Sequence, residues 1–163
     1  MRPISIHFEY KRYDSYTELP HETQRLLLAA RDAMHRAYAP YSQFHVGAAI
    51  VLDNGTVVQG NNQENAAYPS GLCAERVAFF SVGANFPNQP IKAIAITASS
   101  ATYVSGEPVT PCGACRQSML EYELKQHTPI EVFLLSPADE VIVIPSVSQL
   151  LPLHFDAKNL RNS

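Results

Sequence analysis

No apolar run in this sequence reaches the length of a membrane span, the charge balance carries no basic excess, and cysteine occurs only three times in 163 residues. The first absence argues against a membrane-spanning chain. The opening Met1-Arg2-Pro3-Ile4-Ser5-Ile6-His7 has no apolar core of signal-peptide length either, so no secretory leader is expected. A net charge of −3 does not supply the basic surface that a phosphate backbone calls for, and nucleic acid is not an expected partner. Three cysteines cannot all pair within one chain, whereas three can ligate a single metal ion; that usage points to a reducing, cytoplasmic setting. Internal repeats and linker-like stretches are also lacking. What is present is ordinary globular composition, 46% apolar and 17% charged, at a length typical of one domain with a substantial core.

Periodicity divides the chain into alternating elements. Ile4, Ile6, Phe8 and Tyr10 alternate with polar residues and predict a short strand. Leu27, Ala30, Met34, Ala37 and Tyr38 recur at helical spacing until Pro40. Val46 to Leu52, the turn Asp53-Asn54-Gly55, and Thr56 to Gly60 predict a hairpin. Ser70 is a candidate cap for a helix through Glu75 to about Val82, followed by a buried strand at Ile91 to Ala98. Thr110 and Pro111 mark a second helix start, the helix running to about Gln126. Glu131 to Ser136 and Val141 to Ile144 flank a link too short for a parallel crossover and must pair antiparallel. Helices alternating with strands predict a single α/β domain over residues 1–163 with a mixed sheet.

The residues that carry chemistry fall in three short stretches: Asn62-Gln63-Glu64-Asn65, Cys73-Ala74-Glu75, and Pro111-Cys112-Gly113-Ala114-Cys115. Three soft thiolates suit zinc, and a zinc ion with three protein ligands keeps a fourth position for a reactive water. Cys73 and Glu75 are two apart, about 200° around a helix, so they converge on one point only if the helix faces it end-on. Cys112 and Cys115 are three apart and share a face at the start of the second helix. Both helix N-termini then aim free N–H groups at the thiolates and lower their pKa. Three thiolates on Zn²⁺ leave a formal charge of −1, and Arg76, one turn after Cys73, is placed to compensate it by donating to sulfur.

Cys-x-Glu followed by Pro-Cys-x-x-Cys resembles the zinc-dependent deaminase superfamily, whose general scheme is established. The stretch from Gly60 to Pro69, Cys73-Ala74-Glu75-Arg76, Pro40-Tyr41-Ser42 and Phe44 before Val46-Gly47-Ala48-Ala49 are similar to the free-nucleoside cytidine deaminases, over about residues 20 to 155. The resemblance implies a three-layer α/β/α fold with a mixed five-stranded sheet, residues 1–19 forming an N-terminal extension and 20–155 the catalytic core. It also implies one zinc ion per subunit on Cys73, Cys112 and Cys115. The reaction would be hydrolytic deamination of cytidine and deoxycytidine to uridine and deoxyuridine in pyrimidine salvage. Glu75 would carry every proton transfer: from the attacking water, to N3 of cytosine, and to the departing amine. Cysteine rather than histidine at position 73 marks the free-nucleoside branch, and Arg76 is implied as the residue tuning the thiolates.

Asn62 and Glu64 would hydrogen-bond a ribose hydroxyl, the amide donating and the carboxylate accepting, and so reject substrates that leave them unpaired. Phe44 would pack against the base. Ala66, Tyr68 and the C-terminal Phe155 would reach sites in neighbouring subunits, which makes a homotetramer with shared active sites the implied assembly. The polar loop from Ser99 to Val109 would line the pocket mouth.

Rival readings are defined by the same residues. Cys112-Gly113-Ala114-Cys115 alone is also the pattern of a redox pair, though that explains neither Glu75 nor Glu64. A purely structural zinc site is normally closed by a fourth ligand. The nearest downstream histidine, His127, falls at the far end of the second helix. A non-catalytic zinc or redox module is therefore one alternative. A deaminase of a cytosine-bearing compound such as blasticidin S is the other; that branch lacks the Asn-x-Glu-Asn element.

Overall fold

The computed structural model describes residues 1–100 and 106–160. Among the described residues nine principal elements follow in the order β1 (Lys11–Tyr13), α1 (His21–Met34), β2 (Phe44–Leu52), β3 (Val57–Asn61), α2 (Ala74–Asn85), β4 (Ile91–Ser100), α3 (Gly113–Gln126), β5 (Glu131–Leu135) and β6 (Val141–Ile144), with short 3-10 turns before α1, before α2 and after β6. The strands form one mixed sheet in the order β1-β6-β5-β4-β2-β3. Only β4 and β5 run parallel, connected through α3, and the short β5–β6 link gives the expected antiparallel pair.

Each face of the sheet carries its own core. Strand β4 shows how the pleat divides them: Ala93 and Ala95 point to the α1 face, Ile94 and Ile96 to the face covered by α2 and α3. Leu26, Leu27 and Ala30 of α1 meet Ala49, Ala95, Phe133 and Leu135. Phe79 and Val82 of α2 and Met119 and Leu120 of α3 meet Ile50, Ile94, Ile96 and Leu134. The result is the three-layer α/β/α arrangement.

The sheet has six strands rather than five. The extra strand is β1, and it lies just after the stretch where alternation predicts one. Ile4, Ile6, Phe8 and Tyr10 are exposed and form no strand. Pairing is limited by β6, which lasts four residues; Lys11 already faces Val143, so the chain before it runs beyond Ile144 toward Pro145, which has no N–H to offer.

Helix α1 also stops early, at Met34, leaving Ala37 and Tyr38 outside it. The main chain of Tyr38 instead pairs with the segment after β3: its N–H donates to Asn62 O, and its carbonyl accepts from Glu64 N–H. That pairing brings residues 38–44 against residues 62–64 and builds one wall of the cavity described below.

Gly60 of β3 sets the position of α2. A Cβ there would lie 2.5 Å from the carbonyl oxygen of Ala74 and 2.6 Å from Ala78 N, so only glycine lets the first turn of α2 settle on the strand. At the other end of that layer, the buried carboxylate of Glu123 accepts from Ile130 N and Val147 N, from the Ser146 hydroxyl, and from Ser148 N, at 2.7–3.0 Å. Four donors offset the cost of burying the carboxylate and lock the C-terminal segment to α3. Among the described residues no helix is long and apolar enough to cross a membrane.

Candidate active site

Helices α2 and α3 begin side by side, and each begins at a cysteine. Cys73 is the N-cap of α2 and Cys112 the N-cap of α3, both with extended backbone. Better capping residues by propensity, Ser70 and Thr110, lie outside the helices. The displacement has a local cause in each case. Gln63 and Leu72 exchange two main-chain hydrogen bonds, 2.9 and 3.0 Å, which keep the chain extended up to Cys73. Arg116 Nε donates to the Pro111 carbonyl at 2.8 Å and holds the approach to Cys112.

Starting the helices at the cysteines makes them converge. The Sγ atoms of Cys73, Cys112 and Cys115 all lie within 4.8 Å of one another, with Cys112 and Cys115 at 3.5 Å. Thiolates at the zinc–sulfur distance of about 2.3 Å on a tetrahedral ion stand about 3.8 Å apart, inside that spread. The charges fit as well. The Cys73 thiol is pulled down to about 5, chiefly by the hydrogen bond from Cys115, with Arg76 adding to the effect. Cys115 is pushed upward by that same bond and by burial. Three thiols this close ionise together only around a cation, and the donor set suits zinc with one coordination position left open. Among the described residues no histidine or fourth cysteine joins the cluster. His127 is the left-handed C-cap of α3, at the opposite end of the helix from Cys112 and Cys115.

Glu75 is only 5% exposed, and burial raises its carboxyl above the usual range. It lines the same cavity as Cys73 and Cys112. Arg76 directs a guanidinium nitrogen at Cys73 Sγ, 3.9 Å away, and at the Gly71 carbonyl, 3.4 Å away, while its Nε is buried without a partner. Replacing Arg76 with glutamine is expected to lower activity about tenfold or more while metal content stays at one ion per chain. Steady-state rates read beside zinc analysis check this, and an unchanged rate would remove the tuning role.

Above the thiols opens a cavity of about 410 Å³, within the range of small-molecule sites. Phe44, Asn62 and Glu64 all line it. The two polar side chains already have work within the chain. Asn62 accepts from Val46 N–H and donates to the Phe44 carbonyl, both at 2.8 Å, and so pins the start of β2 and with it Phe44. Glu64 accepts from Tyr41 N–H at 2.8 Å, from Ser42 N–H and from the Ser42 hydroxyl; that last bond is the main reason its carboxyl sits below the usual range. Each retains capacity for a further partner, a second amide N–H on Asn62 and free lone pairs on Glu64.

The peripheral candidates lie further out. Tyr68 is 77% exposed on the rim of this chain's own cavity, edge-on to Tyr41. Ala66 is exposed nearby and does not line the cavity. Phe155 is 56% exposed and also off the lining, its carbonyl held by the Gln117 amide of α3 at 2.9 Å. Val109, the last residue of the loop expected at the mouth, lines the cavity, and so do Tyr41, Ser42, Leu72 and Thr110, to which the sequence assigned no contact. The signal for Tyr41 and Ser42 was the motif Pro40-Tyr41-Ser42. Of the expected mouth loop, residues 101–105 lie outside the described residues.

A donor set of three thiols with an open fourth position, beside a buried carboxylate and under a cavity of nucleoside size, has the parts of a zinc-dependent hydrolytic deaminase. More narrowly, the chain belongs to the cytidine and deoxycytidylate deaminase family, whose zinc-binding region matches residues 20–128. It is 36% identical over 139 residues to a cytidine deaminase of Sporosarcina psychrophila, an alignment spanning 85% of this chain and 95% of the relative. It is also 36% identical over 150 residues to that of Halalkalibacterium halodurans, spanning 86% and 99%. The crystal structure of cytidine deaminase from Burkholderia pseudomallei superposes with a TM-score of 0.71 at 41% identity, covering 84% of this chain and all of that one.

Proposed function

We propose that the protein removes the 4-amino group of cytidine and deoxycytidine by hydrolysis, releasing ammonia and uridine or deoxyuridine, as a step of pyrimidine salvage in the cytoplasm. The observation that carries this reading is the placement of the buried Glu75 carboxylate in one cavity with Cys73 and Cys112, at the meeting point of two helix N-termini. A zinc ion held by Cys73, Cys112 and Cys115 supplies the Lewis acidity that makes water a nucleophile at neutral pH.

The chain's own side chains do the remaining work. Glu75 accepts a proton from the attacking water and places it on N3 so that C4 becomes electrophilic; it then carries the remaining proton of the new C4 hydroxyl to the amine, which leaves as ammonia while C4 becomes the carbonyl. A carboxylate shielded from solvent keeps that proton within the site. Phe44 stacks on the base from a strand end that Asn62 holds in place. Asn62 and Glu64 take the ribose hydroxyl with their remaining donor and acceptor capacity. A ligand lacking that hydroxyl leaves them unpaired and binds poorly. Arg76 compensates the negative charge of the thiolates.

The working unit in this reading is a homotetramer of single-domain subunits, residues 1–19 an extension on a catalytic core at 20–155. Tyr68, Ala66 and Phe155 complete neighbouring sites; the exposure of all three in the lone chain supports that role.

The direct test is the loss of cytidine ultraviolet absorbance with zinc-loaded protein, together with release of one ammonia per nucleoside, run beside deoxycytidine and blasticidin S. Turnover of both nucleosides and not of blasticidin S is expected. Turnover of neither nucleoside by zinc-replete protein would overturn the reading.

A further inference from the structure

The segment before residue 20 lies outside the family region, yet one of its side chains reaches the loop that lines the cavity mouth. Strand β1 is laid along β6 with Arg12 opposite Ile142. The same segment is fastened further on. Tyr16 N–H donates to the Asp139 carbonyl at 2.9 Å, and Arg31 of α1 both pairs with the Asp139 carboxylate and lies 5.6 Å over the Tyr16 ring.

From this anchored position the Arg12 guanidinium bridges two carboxylates. It holds Glu140 at 2.6 Å and both oxygens of Glu107 at 3.2 Å each. Glu140 belongs to the turn that leads into β6, so it fixes the guanidinium to the sheet edge. Glu107 belongs to the loop that enters the site. The residue after it, Pro108, is buried, and the next two, Val109 and Thr110, line the cavity. The far end of that loop is held by Arg116 at Pro111, directly before Cys112. The cavity-lining residues are thus suspended between two arginine anchors. One lies in the catalytic core and the other in the extension.

We propose that Arg12 is a positioning residue: by clamping Glu107 to the sheet edge it sets where Val109 and Thr110 meet the substrate, so that the N-terminal extension tunes nucleoside affinity. The inference rests on the cytidine deaminase reading of the cavity. Arg12 touches neither the thiols nor Glu75, so the clamp acts on binding and not on proton transfer. A bidentate pair shared with a second carboxylate is worth more than a single exposed ion pair, but it remains sensitive to screening.

The test is steady-state kinetics on cytidine for Arg12→Ala, for Glu107→Ala and for the double variant, at low and high salt. Arg12→Ala is expected to raise KM about three- to tenfold with kcat within about twofold, the range open to a short exposed ion-pair network. The difference from the unsubstituted protein should shrink as salt screens the pair, and the double variant should bind no more weakly than Arg12→Ala alone, because the two substitutions remove one shared contact. A KM unchanged in Arg12→Ala, or a fall confined to kcat, would overturn the positioning role while leaving the activity established. No turnover by the unsubstituted protein would overturn both.

Discussion

Glu75→Ala is expected to lower cytidine turnover by about 10⁴-fold, the upper end of what one positioned acid–base group contributes. The size of the effect follows from the number of proton transfers given to a single carboxylate. Removing it leaves the attacking water, N3 and the leaving amine without a shuttle. Among the described residues no other carboxylate is placed to substitute, since Glu64, the other acidic residue on the lining there, is engaged with Tyr41 and Ser42. The variant should still bind one zinc ion, because the three Sγ atoms come from other residues. Stability should hold as well: burial disfavours the ionised Glu75 side chain, so its loss relieves a desolvation cost that offsets the small void. The isosteric Glu75→Gln, which keeps the shape and removes the proton-accepting function, should be nearly as inactive. Residual activity within tenfold of the unsubstituted enzyme in both variants would remove Glu75 from the centre of the mechanism.

The second large effect is loss of the metal. Chelation, or the substitution Cys115→Ala, is expected to bring activity below about 1% of the starting value, since losing a direct ligand exceeds the 10- to 100-fold effect of disturbing the shell around it. Added zinc should restore the chelated protein but not the variant. The fold should survive chelation. The cluster lies at one edge of a core that also contains Phe79, Ile94, Ile96, Met119, Leu120 and Leu134, and those contacts do not depend on an ion. Circular dichroism of the metal-free protein should keep its helical signal at room temperature, while the melting point falls by the amount that bound zinc contributes through mass action. The metal-free chain must be kept reduced, with Cys112 and Cys115 sulfurs 3.5 Å apart. Unfolding on chelation would identify the zinc as structural and favour the binding-module alternative.

Legibility in the sequence depended on how local the physics was. The gathering of the three thiols with Glu75 beside them could be read because residue type and spacing within one helical turn nearly dictate the arrangement, and an end-on approach is the one geometry that brings Cys73 and Glu75 to one point. The hairpin at Asn54-Gly55 was equally local, and Gly55 adopts a φ of 83°. The helix starts were misplaced because propensity favours Ser70 and Thr110, whereas a main-chain pair between Gln63 and Leu72 and the reach of Arg116 keep those residues outside the helices. Alternation at Ile4 to Tyr10 suggested a strand, but a strand needs a partner edge, and β6 is spent on Lys11 to Tyr13. Asn62 and Glu64 were read as ribose contacts without any sign that they also brace Phe44, Val46 and the Tyr41-Ser42 turn.

The sequence by itself determined the donor chemistry, three thiols and a carboxylate at helix starts, along with the alternation of helices and strands and membership of a zinc deaminase family. These are properties of residue type and near-neighbour spacing. Only the tertiary structure decided that the three sulfurs lie within 4.8 Å, that the Glu64 carboxylate is braced by Ser42, and that Arg12 reaches across 95 positions of chain to Glu107. Contacts between residues distant in sequence carry no periodic or compositional signature. They arise where the strand order 1-6-5-4-2-3 sets segments distant in the chain beside one another.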